Sequence, residues 1–432
     1  MRVVRICHAG RDPSHRLRDR ALVAAGAEVT YVVPQVWPEP SAERSLSEEP
    51  FPIVELPVAR PGDVNRHRFA SAEAVAQVVR QADPELVDLH EEAVSAVTHQ
   101  VLHALPPSRR LVVYASQNLD KRWPPPFAQW ERRALARAQG VYPISRQAAS
   151  VIRGKGYAGI LRVIPLGYDD KTFFAGEQAV DDAEIRLALV GRLVPEKGVG
   201  DAVSVLARVN ALRPARLLLV GEGPMLEPAL AAAEARGLAD RVEHQPWQTA
   251  DQLARIYREV HVVLAPSRTT ATWTEQFGRM VSEGQASGCV VAGYASGAIA
   301  EVGAEAAALA PEGDVGALES AVLRLLEDPR EFAARRGAGL DVSRTRTWDA
   351  VAHEQLRFYE DALATSAGGL RRVRPGVLRE EAAREFGPPA RADGTARPFA
   401  LPLLRSSALS HHLGRLIDLG ASARAALTAR GR

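Results

Sequence analysis

At 432 residues, 46% of them hydrophobic, the chain is too long for one ordinary core and apolar enough to build two. The formal net charge of +2 conceals an asymmetry. Residues 366–432 hold 12 Arg against 5 acidic residues, so the main body is net acidic, has no basic stripe and is not expected to bind nucleic acid.

The only cysteines, Cys7 and Cys289, lie in apolar strand-like runs and support neither a disulfide framework nor a metal framework. The apolar stretch within residues 1–10 is far too short for a signal sequence, and no run approaches the ~20 residues that span a bilayer. A cytoplasmic setting is expected.

In chain order, short β-branched runs occur at 2–7 (RVVRIC), 28–33 (EVTYVV), 85–90 (ELVDLH), 110–116 (RLVVYAS) and 161–167 (LRVIPLG), separated by amphipathic stretches. This alternation predicts parallel strands joined by helices, here in a first domain over 1–170. The first helix has Asp12 to cap it, Pro13 for its first turn and Gly26 to end it. Its Arg16, Arg18 and Arg20 read either as a solvated face or as attraction for an anionic acceptor or membrane surface.

Residues 168–184, rich in Asp, Gly and Ala, read as a linker. A second cycle of strands at 185–191, 215–221, 260–267 and 289–294 predicts another doubly wound sheet over 184–346. Trp348, Val351, Ala352, Tyr359 and Leu363 mark a helix with one apolar face, expected over 347–364 and crossing back to the first domain. Beyond it, the Arg, Pro, Gly and Ala of 366–432 predict a largely disordered basic tail. Its stretch 403–420 suits a helix docking on a partner or making peripheral membrane contact.

Candidate chemistry concentrates in the second cycle, at VGRLVPEKG (190–198), VGEGP (220–224) and TEQFGRMVSEGQASGCVVAG (274–293). Arg192 and Lys197 can share one site beside Gly191 and Gly198, where the backbone turns closely. Two cations suit a diphosphate, which gains charge when it departs. Read singly, they are a solvated loop residue and a helix-start residue. A helix opened by Phe277 and Gly278 presents free backbone N–H groups, including that of Arg279, to an anion. Glu275 and Glu283 flank that helix start as hydroxyl acceptors; taken alone, two such glutamates are also ordinary surface charges.

Together these segments resemble family 4 of the retaining glycosyltransferases, whose two Rossmann-like domains face each other across a cleft in the GT-B architecture. The resemblance extends through PISRQAASVIRGKGY (143–157) and VIPLGYDDKTF (163–173), and covers roughly residues 1–364. It implies that Arg192 and Lys197 bind the donor diphosphate, Glu275 the donor-sugar hydroxyls and Glu283 the nucleotide ribose. Glu275, Lys197 and Arg192 are then the catalytic candidates. Gly191, Phe277, Gly278 and Arg279 complete the donor site, and base contacts fall near 242–247.

The implied activity is retaining, metal-independent transfer from a nucleotide-diphosphate sugar (UDP, GDP or ADP type) to the hydroxyl of a small molecule, lipid-linked sugar or glycan, with no cofactor required. A nucleotide-sugar epimerase of the same fold and a non-catalytic nucleotide-sugar-binding protein are the alternatives. The sequence departs from the family pattern at Gln276, Arg279 and Gly284, and the loop HAGRDPSH has a single glycine, Gly10. Gly221 and Gly223 in the second domain are further candidates, as are His90, Glu91, Gln117 and Asn118 at first-domain strand ends, His90 also reading as a satisfied strand-end histidine. Asp169 and Asp170 lack a further ligand, and no required metal is expected.

Overall fold

The structure is a computed structural model that describes residues 1–38, 49–177 and 183–389. Its first sheet joins β1 (Arg2–Ile6), β2 (Glu28–Pro34) and β3 (Ile53–Leu56) to β6 (Leu86–Glu92), β7 (Leu111–Ala115), β8 (Gly140–Pro143) and β9 (Ile160–Leu161), with β4 (Val58–Ala59) and β5 (Arg68–Phe69) forming a small antiparallel pair beside it. The order is β3-β2-β1-β6-β7-β8-β9, all parallel. A second sheet has β10 (Ile185–Val190), β11 (Ala215–Val220), β12 (Val242–Gln245), β13 (Val262–Ala265), β14 (Val290–Tyr294) and β15 (Ala308–Ala310) in the order β12-β11-β10-β13-β14-β15, also parallel. In both sheets the strand order reverses beside the first strand, which opens a crevice at the carboxyl ends of the strands.

Strands with long apolar runs coincide with the sequence reading, whereas β3, β8, β12 and β15 were not foreseen. They are three or four residues long, and edge strand β12 (VEHQ) exposes Glu243 and His244, which leaves little periodic signal. The run 161–167 pairs only at Ile160–Leu161. Beyond that its contacts become single backbone bonds, from Arg162 to Val141 (3.2 Å) and from Ile164 to Pro143 (2.9 Å), and Pro165 has no N–H to continue them.

The first helix is split. A 3-10 turn, Pro13–Arg16, capped by the Asp12 side chain on the Ser14 N–H at 2.8 Å, leads into Leu17–Ala24. Its arginines correct the sequence reading. Arg16 is buried against the Gly10 and Arg11 carbonyls and Glu49, and Arg18 against the Pro165 carbonyl and Gln355. Only Arg20 is largely exposed, and it pairs with Glu49. The first two therefore tie the chain together rather than facing a membrane or an acceptor.

The helix Trp348–Ala364, capped by Thr347, returns to the first sheet and buries Phe358, Tyr359 and Ala362 against Val112, Tyr142 and Ile164. Gly140 makes room for it, since a Cβ there would lie 2.6 Å from the Phe358 ring. The first part of the expected tail is ordered. A helix, Pro375–Phe386, packs on Arg146–Gly154 with Leu378 and Ala382 buried, the Phe386 ring 5.9 Å from the Arg146 and Arg153 guanidinium groups, and Arg379 paired with Asp120 at 2.8 Å. Averaged composition hides this single apolar pair at i, i+4. Residues 390–432, including 403–420, lie outside the described residues. Among the described residues no helix is long and apolar enough to cross a membrane.

A buried polar network joins β1, β6, β8 and the returning helix. The Arg5 guanidinium, 2% exposed, reaches Asp88 at 2.7 Å and Asp19 at 3.0 Å, while Tyr142 and Tyr359 each donate to Asp88 at 2.5 Å. Removing one member strands a charge in the interior. Asp88→Ala is accordingly expected to lower unfolding free energy by roughly 3–5 kcal/mol, measured as a shift of the urea midpoint.

Candidate functional site

The crevices of the two sheets face one another across a cavity of about 600 Å³. Gly191, Arg192, Lys197, Glu275, Phe277, Gly278, Arg279 and Glu283 all line it from the second domain, and Asp12, Ser14, His15, Tyr114 and Ser116 from the first. Residues separated by more than 80 positions therefore share one wall.

Lys197 is placed by the short turn Pro195–Lys197 after β10, which ends at Gly198 with φ 65°. A Cβ on Gly198 would lie 2.1 Å from the Pro266 carbonyl oxygen, so only glycine allows the turn to pack against β13's end. Its ammonium pairs with the Glu275 carboxylate and sits 5.3 Å from the centre of the Trp273 ring. Ser267 donates to the same carboxylate at 3.2 Å. The Glu275 backbone carbonyl accepts from Ala298 N–H (2.9 Å) and from the Asn118 side-chain amide (2.8 Å), so the first domain holds this loop directly. Gln276 adds a second bridge to the Ser116 carbonyl at 3.2 Å.

The helix Arg279–Ala286 begins later than expected, with Gly278 as its N-cap at φ 80°. Phe277 thus precedes it, and the first-turn N–H groups that helix geometry leaves unpaired belong to Arg279 and Met280. Glu283, buried, accepts from the half-exposed Arg279 at 3.0 Å. Arg192 is exposed and has no ion-pair partner among the described residues. The second-domain side of the cavity consequently carries three cations and two carboxylates, with four of the five already paired.

His15 was not singled out from the sequence. Burial, then the nearby Arg279 charge, push its pKa down to about 4, which keeps the ring neutral near pH 7. Trp273 and Ser267 were also missed, because nothing in their local sequence shows that they approach Lys197 and Glu275. Trp247, 53% exposed, also lines the cavity, from the segment expected near the base.

Other candidates fall outside the cavity. Gly221 and Gly223 serve backbone packing, since a Cβ would lie 2.1 Å from the Gly191 carbonyl oxygen and 2.3 Å from that of Leu193. Gly10 fits beneath Tyr31, whose ring a Cβ would meet at 2.1 Å. His90 joins the buried network, with Nδ1 2.9 Å from both Arg5 and the Tyr142 hydroxyl; burial and the Arg5 charge hold its pKa well below the usual value. Glu91 faces His8 and His67. Burial pushes its carboxyl up, yet the two imidazoles outweigh this and hold it at about 2. Gln117 is half-buried outside the cavity, and Asp169 accepts from Thr172 at 2.8 Å within its own loop.

Sucrose-phosphate synthase from Thermosynechococcus elongatus superposes with a TM-score of 0.67 at 20% identity, covering 84% of this chain and 99% of that one. Anabaena HepE in complex with UDP does so with 0.65 at 16% identity, covering 83% and 100%. At such identities the likeness concerns the fold, and it is the two-domain GT-B architecture.

The description "Glycosyltransferase Family 4" matches residues 20–172 and "Glycosyl transferases group 1" matches 170–338. The chain belongs to family 4 of the glycosyltransferases. It is 34% identical to D-inositol 3-phosphate glycosyltransferase of Segniliparus rotundus over 48% of each chain, and 29% identical to 2-deoxystreptamine glucosyltransferase of Streptomyces kanamyceticus over 53% of this chain and 62% of that one. The matched stretch thus spans about half to three-fifths of these relatives' length.

Because Gly198 combines a left-handed backbone with a 2.1 Å approach, Gly198→Ala is expected to destabilise by at least about 1–3 kcal/mol. Thermal unfolding measures the loss.

Proposed function

We propose that the chain is a retaining glycosyltransferase that takes a sugar from a nucleotide-diphosphate donor. The observation that carries this reading is the convergence of Arg192, Lys197, Glu275, Arg279 and Glu283 on one cavity between two sheets. A diphosphate supplies the negative charge that Arg192 lacks and competes for Lys197, freeing the Glu275 carboxylate to accept sugar hydroxyls. Glu283, about one turn along the helix, is then assigned to the ribose, and Trp247, which lines the same cavity, to the base.

In the proposed reaction the bond from the anomeric carbon to the diphosphate oxygen breaks as the acceptor oxygen bonds to the same carbon from the same face. The acceptor proton passes to the departing phosphate oxygen. Lys197, Arg192 and the first-turn N–H groups stabilise the charge that develops on the leaving group. The side chains assigned here require no metal for that step. Two relatives are named for inositol phosphate and 2-deoxystreptamine, so a cyclitol hydroxyl is the acceptor we propose first, and UDP, present in the HepE complex, the first nucleotide. A cytoplasmic setting, with membrane contact through 403–420, belongs to the same proposal and rests on composition.

The test is nucleoside diphosphate release from UDP-, GDP- and ADP-sugars with and without cyclitol acceptors, with the product anomer read by NMR. Release that requires acceptor and retains configuration supports the reading. Donor epimerised without acceptor, or binding without turnover, overturns it. Glu275→Gln and Lys197→Met are each expected to slow transfer by on the order of 10²–10³. Arg192→Ala, at an exposed and unpaired site, is expected to leave stability within about 0.5 kcal/mol while weakening UDP binding, which calorimetry and thermal shift separate.

A further inference from the structure

We propose that His8, His67 and Glu91 form a site for one zinc-class divalent cation in the first domain, apart from the donor site. His8 follows β1, Glu91 lies at the end of β6, and His67 precedes β5, so three separate chain segments converge there. One ligand atom from each lies within 4.8 Å of the others. None of the three lines the donor cavity, and the cation has no part in the transfer step.

The decisive observation concerns His67, which is 1% exposed. Its Nδ1 lies 3.1 Å from the Asp63 carbonyl oxygen, and a carbonyl only accepts, so Nδ1 carries the proton. In the neutral ring Nε2 is therefore a bare lone pair. That atom is buried, has no hydrogen-bond partner among the described residues and faces the Glu91 carboxylate at 3.7 Å. Two lone-pair atoms aimed at each other in the interior call for a positive charge between them.

A proton would satisfy the pair only by closing it to a charge-assisted hydrogen bond of about 2.7–2.9 Å, and 3.7 Å is too wide for that. Zinc bonds to imidazole and carboxylate at about 2.0–2.2 Å, which sets two tetrahedral ligand atoms roughly 3.3–3.6 Å apart. His8 Nδ1 completes the set, at 2.7 Å from one Glu91 oxygen and 2.9 Å from the other, and has only to open slightly. Binding displaces the proton that His8 shares with Glu91.

The surroundings agree with this. The Nδ1–H of His67 on a backbone carbonyl is the outer contact that fixes a metal-ligating imidazole, and the Trp37 ring packs against both histidines at 4.6 and 4.9 Å, keeping the site dry. Two imidazoles with one carboxylate favour zinc-class ions over magnesium or calcium, which take oxygen ligands. Of the three side chains His8 is the most exposed, at 19%, so an exchangeable fourth ligand would enter past it. The cation would brace the loop after β1 against the β4–β5 pair, on the side of the cleft that carries His15 and Ser14.

The test uses the full chain, dialysed against a chelator and titrated with Zn2+ alone, with Co2+ as a spectroscopic substitute. The expected result is one equivalent bound per chain, a visible Co2+ absorption band of a four- or five-coordinate site, and an unfolding midpoint that rises with free Zn2+. His8→Ala, at the partly exposed position, and His67→Ala are each expected to weaken binding by on the order of 100-fold or more, beyond what loss of an outer contact causes. A folded wild-type chain without the Co2+ band, or binding unchanged in both variants, overturns the site. Sugar transfer by a chain that binds no Zn2+ would sink this inference alone, and stoichiometric Zn2+ binding without transfer would sink only the proposed reaction.

Discussion

The buried guanidinium of Arg5 sets the frame of the molecule. Two carboxylates, Asp19 and Asp88, surround it, and Tyr359 from the returning helix donates to Asp88. A charge so far from water is tolerable only with nearly every partner in place. The network therefore demands that the last helix of the second domain lie on the first sheet. Once that helix is seated, the chain passes between domains twice, after Tyr168 and at 347, and backbone bonds between Tyr168 and residues 346 and 348 hold the crossings side by side. The two crevices are left facing each other.

Within the cleft the electrostatics are arranged as exchangeable pairs. Lys197 neutralises Glu275, and Arg279 neutralises Glu283, so neither buried carboxylate is left without a cation. A ligand carrying both negative charge and hydroxyls replaces each half with a better match, since phosphate takes the cation and hydroxyls take the carboxylate. Asn118 and Gln276 matter for a different reason. Asn118 donates across the cleft to the Glu275 carbonyl and Gln276 donates back to the Ser116 carbonyl, which makes the position of the site loop depend on the first domain.

The second sheet was largely legible because β10, β11, β13 and β14 are buried apolar runs bounded by Gly or Pro. The eight second-domain residues that line the cavity were legible for a related reason, lying in the segments that follow such strands, Arg279 and Glu283 on the helix after β13. Gly221 and Gly223 shared that signature but proved to be packing devices, since a glycine needed for close approach reads the same whether the neighbour is a ligand or the Gly191 carbonyl. Arg16 and Arg18 were misread because an arginine's charge is visible in sequence, whereas the carbonyls and carboxylate that bury it come from residues up to 337 positions away. His15, Trp273 and the approach of His67 to Glu91 had no local pattern at all.

What the sequence determined alone was whatever repeats along the chain: strand and helix alternation, two sheets, the apolar face of the returning helix, and the glycine-bounded loops that carry cations and carboxylates. Those depend on periodicity and backbone stereochemistry, which act between near neighbours. Tertiary structure decided which charges meet, which are buried, where the short edge strands pair, and that residues 375–386 form a docked helix. These outcomes depend on desolvation and on contacts between distant segments, and only folding brings the partners together.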